Sequence, residues 1–427
     1  MLSSPTCKWQ VRQVLTALES ADCSSAAVKT ASRSEVFKGG FKAEAGWSVA
    51  LVEQKAFPRR KVCGEYLSAT NWPLLARLGI ADAFADQAGP PVTNTAIFAG
   101  KREYRAALPR IAGSNSWGQA LPREHLDTLL VARAASLGVA VLQPARCVKL
   151  TATTDGCLAI IESRPEGKAS QIAAHVVIAA HGSWETGDLA TQKQPAPPRG
   201  GDWLAFKAHF RQTNLPAGLM PMLCFAGGYG GMVHVGGERA SLSCCIQRRR
   251  FERLSRPAGV SAGEAVLTHI LESCPVLQPV LDGALVDGPW LSAGVIQPGI
   301  RPRFRDGVFV VGNAAGEAHP VVAEGISMAM QSAWLLAEEL KPLRTKIDRG
   351  EVREHVARRY STAWRRAFAP RIYAAAAIAQ WASRPWLVQA AGPLLDAFPR
   401  LLTWGARLSG KSHVVVREAA RLVTTEC

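Results

Sequence analysis

No run of 18 or more residues free of charge and turn-formers occurs in this 427-residue chain, so no segment reads as a membrane-spanning helix. The first 25 residues lack the basic stretch and unbroken apolar core of a secretion signal, and a cytoplasmic location is expected. Ten cysteines are few for this length, and no two stand in a CxxC pair. That spacing argues against a disulfide scaffold and against a structural zinc site, so the thiols are expected to be reduced and no metal is assigned. Paired carboxylates and a Ser/His/Asp order that would indicate hydrolysis are missing. So are internal repeats and low-complexity tracts.

What is present suits a globular protein of two or three domains, with 48% hydrophobic and 20% charged residues. The net charge is +16, and residues 341–427 carry 16 Lys/Arg against 6 Asp/Glu. This basic excess lies on apolar, helix-like segments without any nucleic-acid-binding signature, so nucleic acid is not expected as a partner. Anionic cofactors, anionic substrates or peripheral contact with an anionic membrane fit it better.

Continuous β-branched runs at 176–180 and 308–311, each ending near glycine, read as parallel strands covered on both faces. A third strand at 47–52 ends at Glu53. Strand ends of this kind meet ligands in open α/β sheets. Between them, Leu204, Phe206, Ala208 and Phe210 alternate with Ala205, Lys207, His209 and Arg211. Period-2 alternation of this sort predicts antiparallel strands of a half-exposed sheet. From about residue 352 the chain reads as short helices divided by Pro370, Pro385, Pro393 and Pro399, carrying Trp381, Trp386 and Trp404. They form either a packed lid or a lipophilic surface.

The richest stretch runs Val308-Phe309-Val310-Val311-Gly312-Asn313-Ala314-Ala315-Gly316-Glu317-Ala318-His319-Pro320, and a helix is expected from near Gly325. Gly312 and Gly316 let the backbone approach a ligand closely. Asn313 can donate to and accept from sugar hydroxyls. The new helix presents free N–H groups and its positive end beside Gly325 and Ile326.

This stretch resembles the second flavin-binding motif of the FAD-dependent monooxygenase and geranylgeranyl reductase superfamily, typified by para-hydroxybenzoate hydroxylase. Asn313 stands where the family usually has aspartate, and Ala323-Glu324-Gly325 replaces its double glycine. The resemblance covers about residues 45–340. It implies an α/β fold: a Rossmann-like FAD-binding domain, an inserted antiparallel-sheet substrate domain and a helical C-terminal region. The corresponding boundaries are an atypical start at 1–46, FAD-binding parts at 47–189 and 296–340, the insert at 190–295 and helices at 341–427.

Further segments agree in order. Glu53 stands where an acidic residue accepts from the adenosine ribose. Lys61-Val62-Cys63-Gly64 resembles the family segment laid along the flavin, in the form typical of the reductase-like branch. Arg123 begins a helix like the family's Arg-x-x-Leu-Asp, whose arginine reaches the cofactor. The resemblance also places Val148 on the strand that borders the adenine in the family. Gly182 follows His181, which stands where the family has an aspartate used for flavin and nicotinamide contacts. These residues, with Gly312, Asn313, Gly316, Gly325 and Ile326, are the candidate FAD ligands. Cys63, His319 and Glu324 are the candidate catalytic groups, each with a plain structural role as the alternative.

The family's opening strand and Gly-x-Gly-x-x-Gly loop do not appear in residues 1–46. Either the start is altered or the chain is a divergent member with weakened or lost FAD binding. As written, the chain is expected to bind FAD weakly or not at all. The expected function is an FAD-dependent oxidoreductase, a monooxygenase or a reductase, acting on a hydrophobic aromatic, polyketide or prenyl compound, with NAD(P)H as a candidate reductant. The alternative is a flavin-less relative that binds a lipophilic metabolite.

Overall fold

The computed structural model describes residues 47–415 apart from 112–116, 185, 195, 348–349 and 413. Expectations placed on residues 1–46, including the phosphate loop, lie outside the described residues.

The strands used below are β1 (Ala50–Val52), β2 (Asn94–Ala99), β3 (Arg102–Ala107), β4 (Ala140–Leu142), β5 (Val177–Ala179), β6 (Trp203–Arg211), β7 (Leu219–Phe225), β8 (Gly228–Val235), β9 (Arg239–Gln247), β10 (Leu291–Ile296) and β11 (Val308–Val310). The helices are α1 (Arg123–Ser136), α2 (Ala262–Ser273), α3 (Gly325–Leu340), α4 (Gly350–Ala382), α5 (Pro385–Ala390), α6 (Gly392–Ala397) and α7 (Arg400–Ala406).

The α/β part is built as the apolar runs require. β1 pairs in parallel with β4, Ala50 opposite Ala140, and β5 pairs in parallel with β11, Val177 opposite Val308. Helix α3 then packs in one core with Phe309 and Val310 of β11, through Ile326, Met330, Ala333 and Leu340. The two pairs belong to separate sheets, and among the described residues neither β1 nor β5 has a strand on its other edge. This changes one expectation. β11 is buried throughout, but β5 is only half-buried, because a strand with one neighbour is covered less completely than one with two.

A further sheet has eight strands. Its order is Leu285–Val286, β6, β9, β8, β7, β2, β3, with β10 also pairing with β6. It therefore also takes in the β2–β3 hairpin, which lies far earlier in the chain. β7 joins that hairpin in parallel, Leu219 opposite Asn94. The period-2 pattern sorts its faces. Phe206, Ala208 and Phe210 pack with Val266 and Ile270 of α2, which begins in a full capping box between Ser261 and Glu264. Lys207 and His209 were expected on a solvated face, yet both are buried, at 0% and 2% exposure. Their face is covered by the segment at residues 61–65, whose carboxylate pairs with both of them.

Proline placement is the other correction. Pro385, Pro393 and Pro399 fall at helix starts. Pro370 instead sits inside the 33-residue α4. Pro370 and Arg366, whose carbonyl loses its partner, are both exposed, so water can take that carbonyl. Buried Trp364, Phe368 and Ile372 hold the helix to the core on either side. Among the described residues, no helix is long and apolar enough to cross a membrane.

Candidate active site

The turn after β11 begins with Gly312 at φ 60°, a left-handed conformation that favours glycine. Ser332 lies on α3, which packs over that turn, and its Oγ accepts from the Gly312 N–H at 2.8 Å. The chain then passes Pro320 and Ala323 (φ 53°) before entering α3. Its N-cap, Glu324, makes no side-chain capping bond. The start of α3 at Gly325 and Ile326 faces a cavity of about 670 Å³.

Nine of the expected residues line that one cavity: Val62, Cys63, Gly64, Arg123, Gly182, Gly312, Asn313, Gly325 and Ile326. A Cβ built on Gly64, Gly182 or Gly325 would meet nothing within 4 Å, so these glycines border open space. The cavity continues past Ile97, Met220, Met222 and Val233 of the sheet to Trp381, Leu395 and Leu402 of the C-terminal helices. Its lining thus joins a glycine-bearing turn to an apolar wall.

The remaining expected residues sit elsewhere. Glu53 lies at the end of β1, fully buried. One carboxylate oxygen accepts from the Lys55 N–H at 3.0 Å, and the other has no partner. Val148 is half-buried at a register shift in the strand Ala145–Thr153. Lys61 does not line the cavity. It is buried and paired with Asp127 of α1, whose other oxygen holds Arg123 in two bonds at 2.9 and 3.0 Å. Gly316 is a packing glycine, because a Cβ there would stand 2.3 Å from the Trp364 ring.

Of the candidate catalytic groups, only Cys63 lines the cavity. His319 is buried, and Tyr229 lies 2.9 Å from its Nδ1. Burial pushes its pKa down to about 4, so it is neutral at pH 7. Glu324 is fully buried between Lys411 at 3.1 Å and the Ser68 hydroxyl at 3.4 Å. The contacts of both are those of structural hydrogen-bond partners. His181 is likewise buried, between the Gly182 carbonyl and the Thr191 hydroxyl, and burial lowers its pKa to about 4.

Sequence reasoning missed three groups beside the cavity. Glu65 follows the quoted Cys63-Gly64 core and takes φ 63°, a rare conformation for a residue with a side chain. Its carboxylate pairs with Lys207, lies 2.7 Å from His209 Nε2 and accepts from the Arg123 N–H at 3.0 Å. Burial alone would raise its pKa, but Lys207 and His209 outweigh that and hold it down at about 2. Glu317 and Ser183 also face the cavity. Burial raises the pKa of Glu317, although Arg301 lies 3.7 Å away. Only the position of Glu65 directly after the Lys61-Val62-Cys63-Gly64 segment could have drawn attention to it, since the side chains that pair with its carboxylate are about 140 residues away.

These residues fit a flavin dinucleotide. A buried carboxylate oxygen without a partner at a strand end suits ribose hydroxyls. Three glycines border open space, a helix start faces the cavity, and Asn313 offers both donor and acceptor.

Comparisons with known proteins agree with this fit. The family described as FAD binding domain matches residues 37–372. Conditioned medium factor receptor 1 of Dictyostelium discoideum is 24% identical over 317 residues, which are 70% of this chain and 59% of that protein. The chain thus spans less than two thirds of that relative. Among solved structures, flavin-dependent brominase Bmp2 superposes with a TM-score of 0.67 at 17% identity, over 86% of this chain and 88% of that one. The myxobacterial chondrochloren halogenase CndH gives 0.65 at 20% identity, over 86% and 87%. A probable FAD-dependent monooxygenase of Pseudomonas aeruginosa, PqsL, gives 0.61 at 14% identity, over 80% and 92%.

Proposed function

The chain belongs to the FAD binding domain family, and we propose that it is an FAD-dependent oxidoreductase of the monooxygenase type acting on a hydrophobic small molecule. One observation carries this reading. A single cavity of about 670 Å³ runs from the Gly312–Asn313 turn to an apolar wall of Met220, Met222, Val233 and Trp381. A redox cofactor and an apolar substrate would share it, in the contact that flavin chemistry requires.

FAD supplies the electron and hydride chemistry when bound, and NAD(P)H is the proposed reductant. The protein's own part is different. Glu53 would hold the ribose, while Gly64, Gly182, Gly312, Asn313 and the start of α3 would cradle the rest. Arg123, fixed by Asp127, places a positive charge at the cavity wall. The sheet and the C-terminal helices exclude water from the apolar end. Glu317, its pKa raised by burial, is the group best suited to hold a proton at its carboxyl facing the cavity.

The test is anaerobic mixing of the FAD-loaded chain with NADH or NADPH, reading the bleaching of the visible flavin band. Air is then admitted with a panel of apolar aromatic and prenyl compounds. At least one should change the flavin spectrum on binding and be converted. If bound FAD is reduced and reoxidised identically with and without every compound, the assignment of an apolar substrate is overturned.

A further inference from the structure

Most of the large apolar side chains that stand exposed among the described residues lie between Tyr373 and Leu408. Trp386 is 66% exposed, Trp404 60% and Phe398 59%, with Leu394 and Leu408 beside them in sequence. Water is a poor neighbour for so many apolar groups on one set of helices. Helix α7 and the helical turn that follows it at Arg407–Lys411 divide in a regular way. Leu401, Trp404 and Leu408, spaced three and four apart, are exposed. Leu402, Gly405, Ala406 and Ser409 line the cavity, and Leu401 reaches both sides. A single helix therefore separates the outer apolar face from the apolar end of the cavity.

The charges around this face have one dominant sign. Exposed Arg384, Arg400 and Arg407 lie on or beside these helices. The β2–β3 hairpin, against which α6 and α7 pack, adds exposed Lys101, Arg102 and Arg105. The acids among them are Asp396, 3.3 Å from Arg102, and Glu103, 2.7 Å from Arg105.

We propose that the outer face of α5, α6 and α7 docks on an anionic lipid bilayer. Exposed tryptophans beside leucine and phenylalanine, ringed by arginine, match the interfacial zone of a bilayer, where rings sit at headgroup depth and guanidinium groups meet lipid phosphates. A second copy of the chain fits poorly, because two-fold pairing would bring two basic rims together. Docking places α7 in the interface, so an apolar substrate reaches the cavity past Leu401 without crossing water. This route rests on the proposed function, whereas the docking face stands on exposure and charge.

The test is co-sedimentation of the whole chain with vesicles of phosphatidylcholine alone and of phosphatidylcholine mixed with phosphatidylserine, at low and high salt. Flavin content is read separately by absorbance, so failure of the FAD reading shows there and not in the pellet. The expected result is pelleting with the phosphatidylserine vesicles that falls several-fold with salt. It should fall comparably in a Trp386→Ser, Trp404→Ser double variant and in an Arg384→Gln, Arg400→Gln, Arg407→Gln triple variant. All five positions are exposed, and an unchanged thermal midpoint confirms that each variant is folded. No pelleting, pelleting indifferent to lipid charge and salt, or pelleting unchanged in both variants overturns the proposal. Self-association without vesicles that the tryptophan variant abolishes also overturns it, in favour of a second copy.

Discussion

Lys207, on a strand of the eight-stranded sheet, forms a fully buried ion pair with Glu65, on the segment that lines the cavity. The pair joins the two halves of the molecule at the cavity wall. His209 on the same strand holds the other carboxylate oxygen at 2.7 Å. The Lys207 ammonium also donates to the Lys61 carbonyl at 3.2 Å. Removing one partner of such a pair leaves a buried charge uncompensated. Glu65→Gln should therefore lower stability by about 3–5 kcal/mol, read as a fall in the thermal midpoint. A midpoint unchanged from the parent would mean that Lys207 finds water or another partner.

The same carboxylate sets an acid dependence. The folded pKa of Glu65, about 2, lies below its ordinary value of 4.5, so the unfolded chain binds the proton more tightly. Its contribution is present above pH 4.5 and is lost as pH falls from there toward 2. A shift of this size corresponds to about 3 kcal/mol. The buried histidines act in a higher window. His181 and His319 have folded pKa values of about 4 against an ordinary 6.5. Stability is therefore full above pH 6.5 and falls as pH drops from 6.5 to 4. Thermal midpoints across pH 7.5 to 4.5 should decline in the parent and decline less in His181→Asn. Parallel curves would show that His181 does not contribute.

Glycines of the flavin motif should separate by role. Gly316→Ala places a methyl 2.3 Å from Trp364 and should lower the thermal midpoint. Gly64→Ala meets no protein atom within 4 Å and should leave the midpoint unchanged while weakening FAD. Equal FAD affinity in Gly64→Ala and the parent would move the flavin away from residues 61–66.

Arg123→Ala should weaken FAD by roughly 1–3 kcal/mol, the scale of a charge-assisted hydrogen bond. Titration of the variant against the parent reads this. An unchanged affinity would leave Arg123 as a structural partner of Asp127 only.

Much of this was legible in the sequence because it is local. The strand-turn-helix around Gly312 follows from β-branched runs, a left-handed glycine and a proline within a few residues of one another. The strand at 203–211 follows from alternation. What was not legible depends on distant partners. Nothing near Lys207 or His209 indicates that Glu65, about 140 residues earlier, turns their face into a buried one. Nothing near Gly316 announces Trp364. Pro370 reads as a helix end until the packing of Trp364, Phe368 and Ile372 is known. The half-covered strand β5 likewise depends on which neighbour it has.

In the proposed binding mode one FAD would reach from Glu53 to the turn at Gly312. Titration of the purified chain with FAD, followed by quenching of flavin fluorescence, tests it most directly, with Glu53→Ala and Gly312→Val beside the parent. The expected result is saturation at one FAD per chain, weaker binding in Glu53→Ala and none in a folded Gly312→Val. No quenching in the parent at any FAD concentration, or the same affinity in all three proteins, would contradict it.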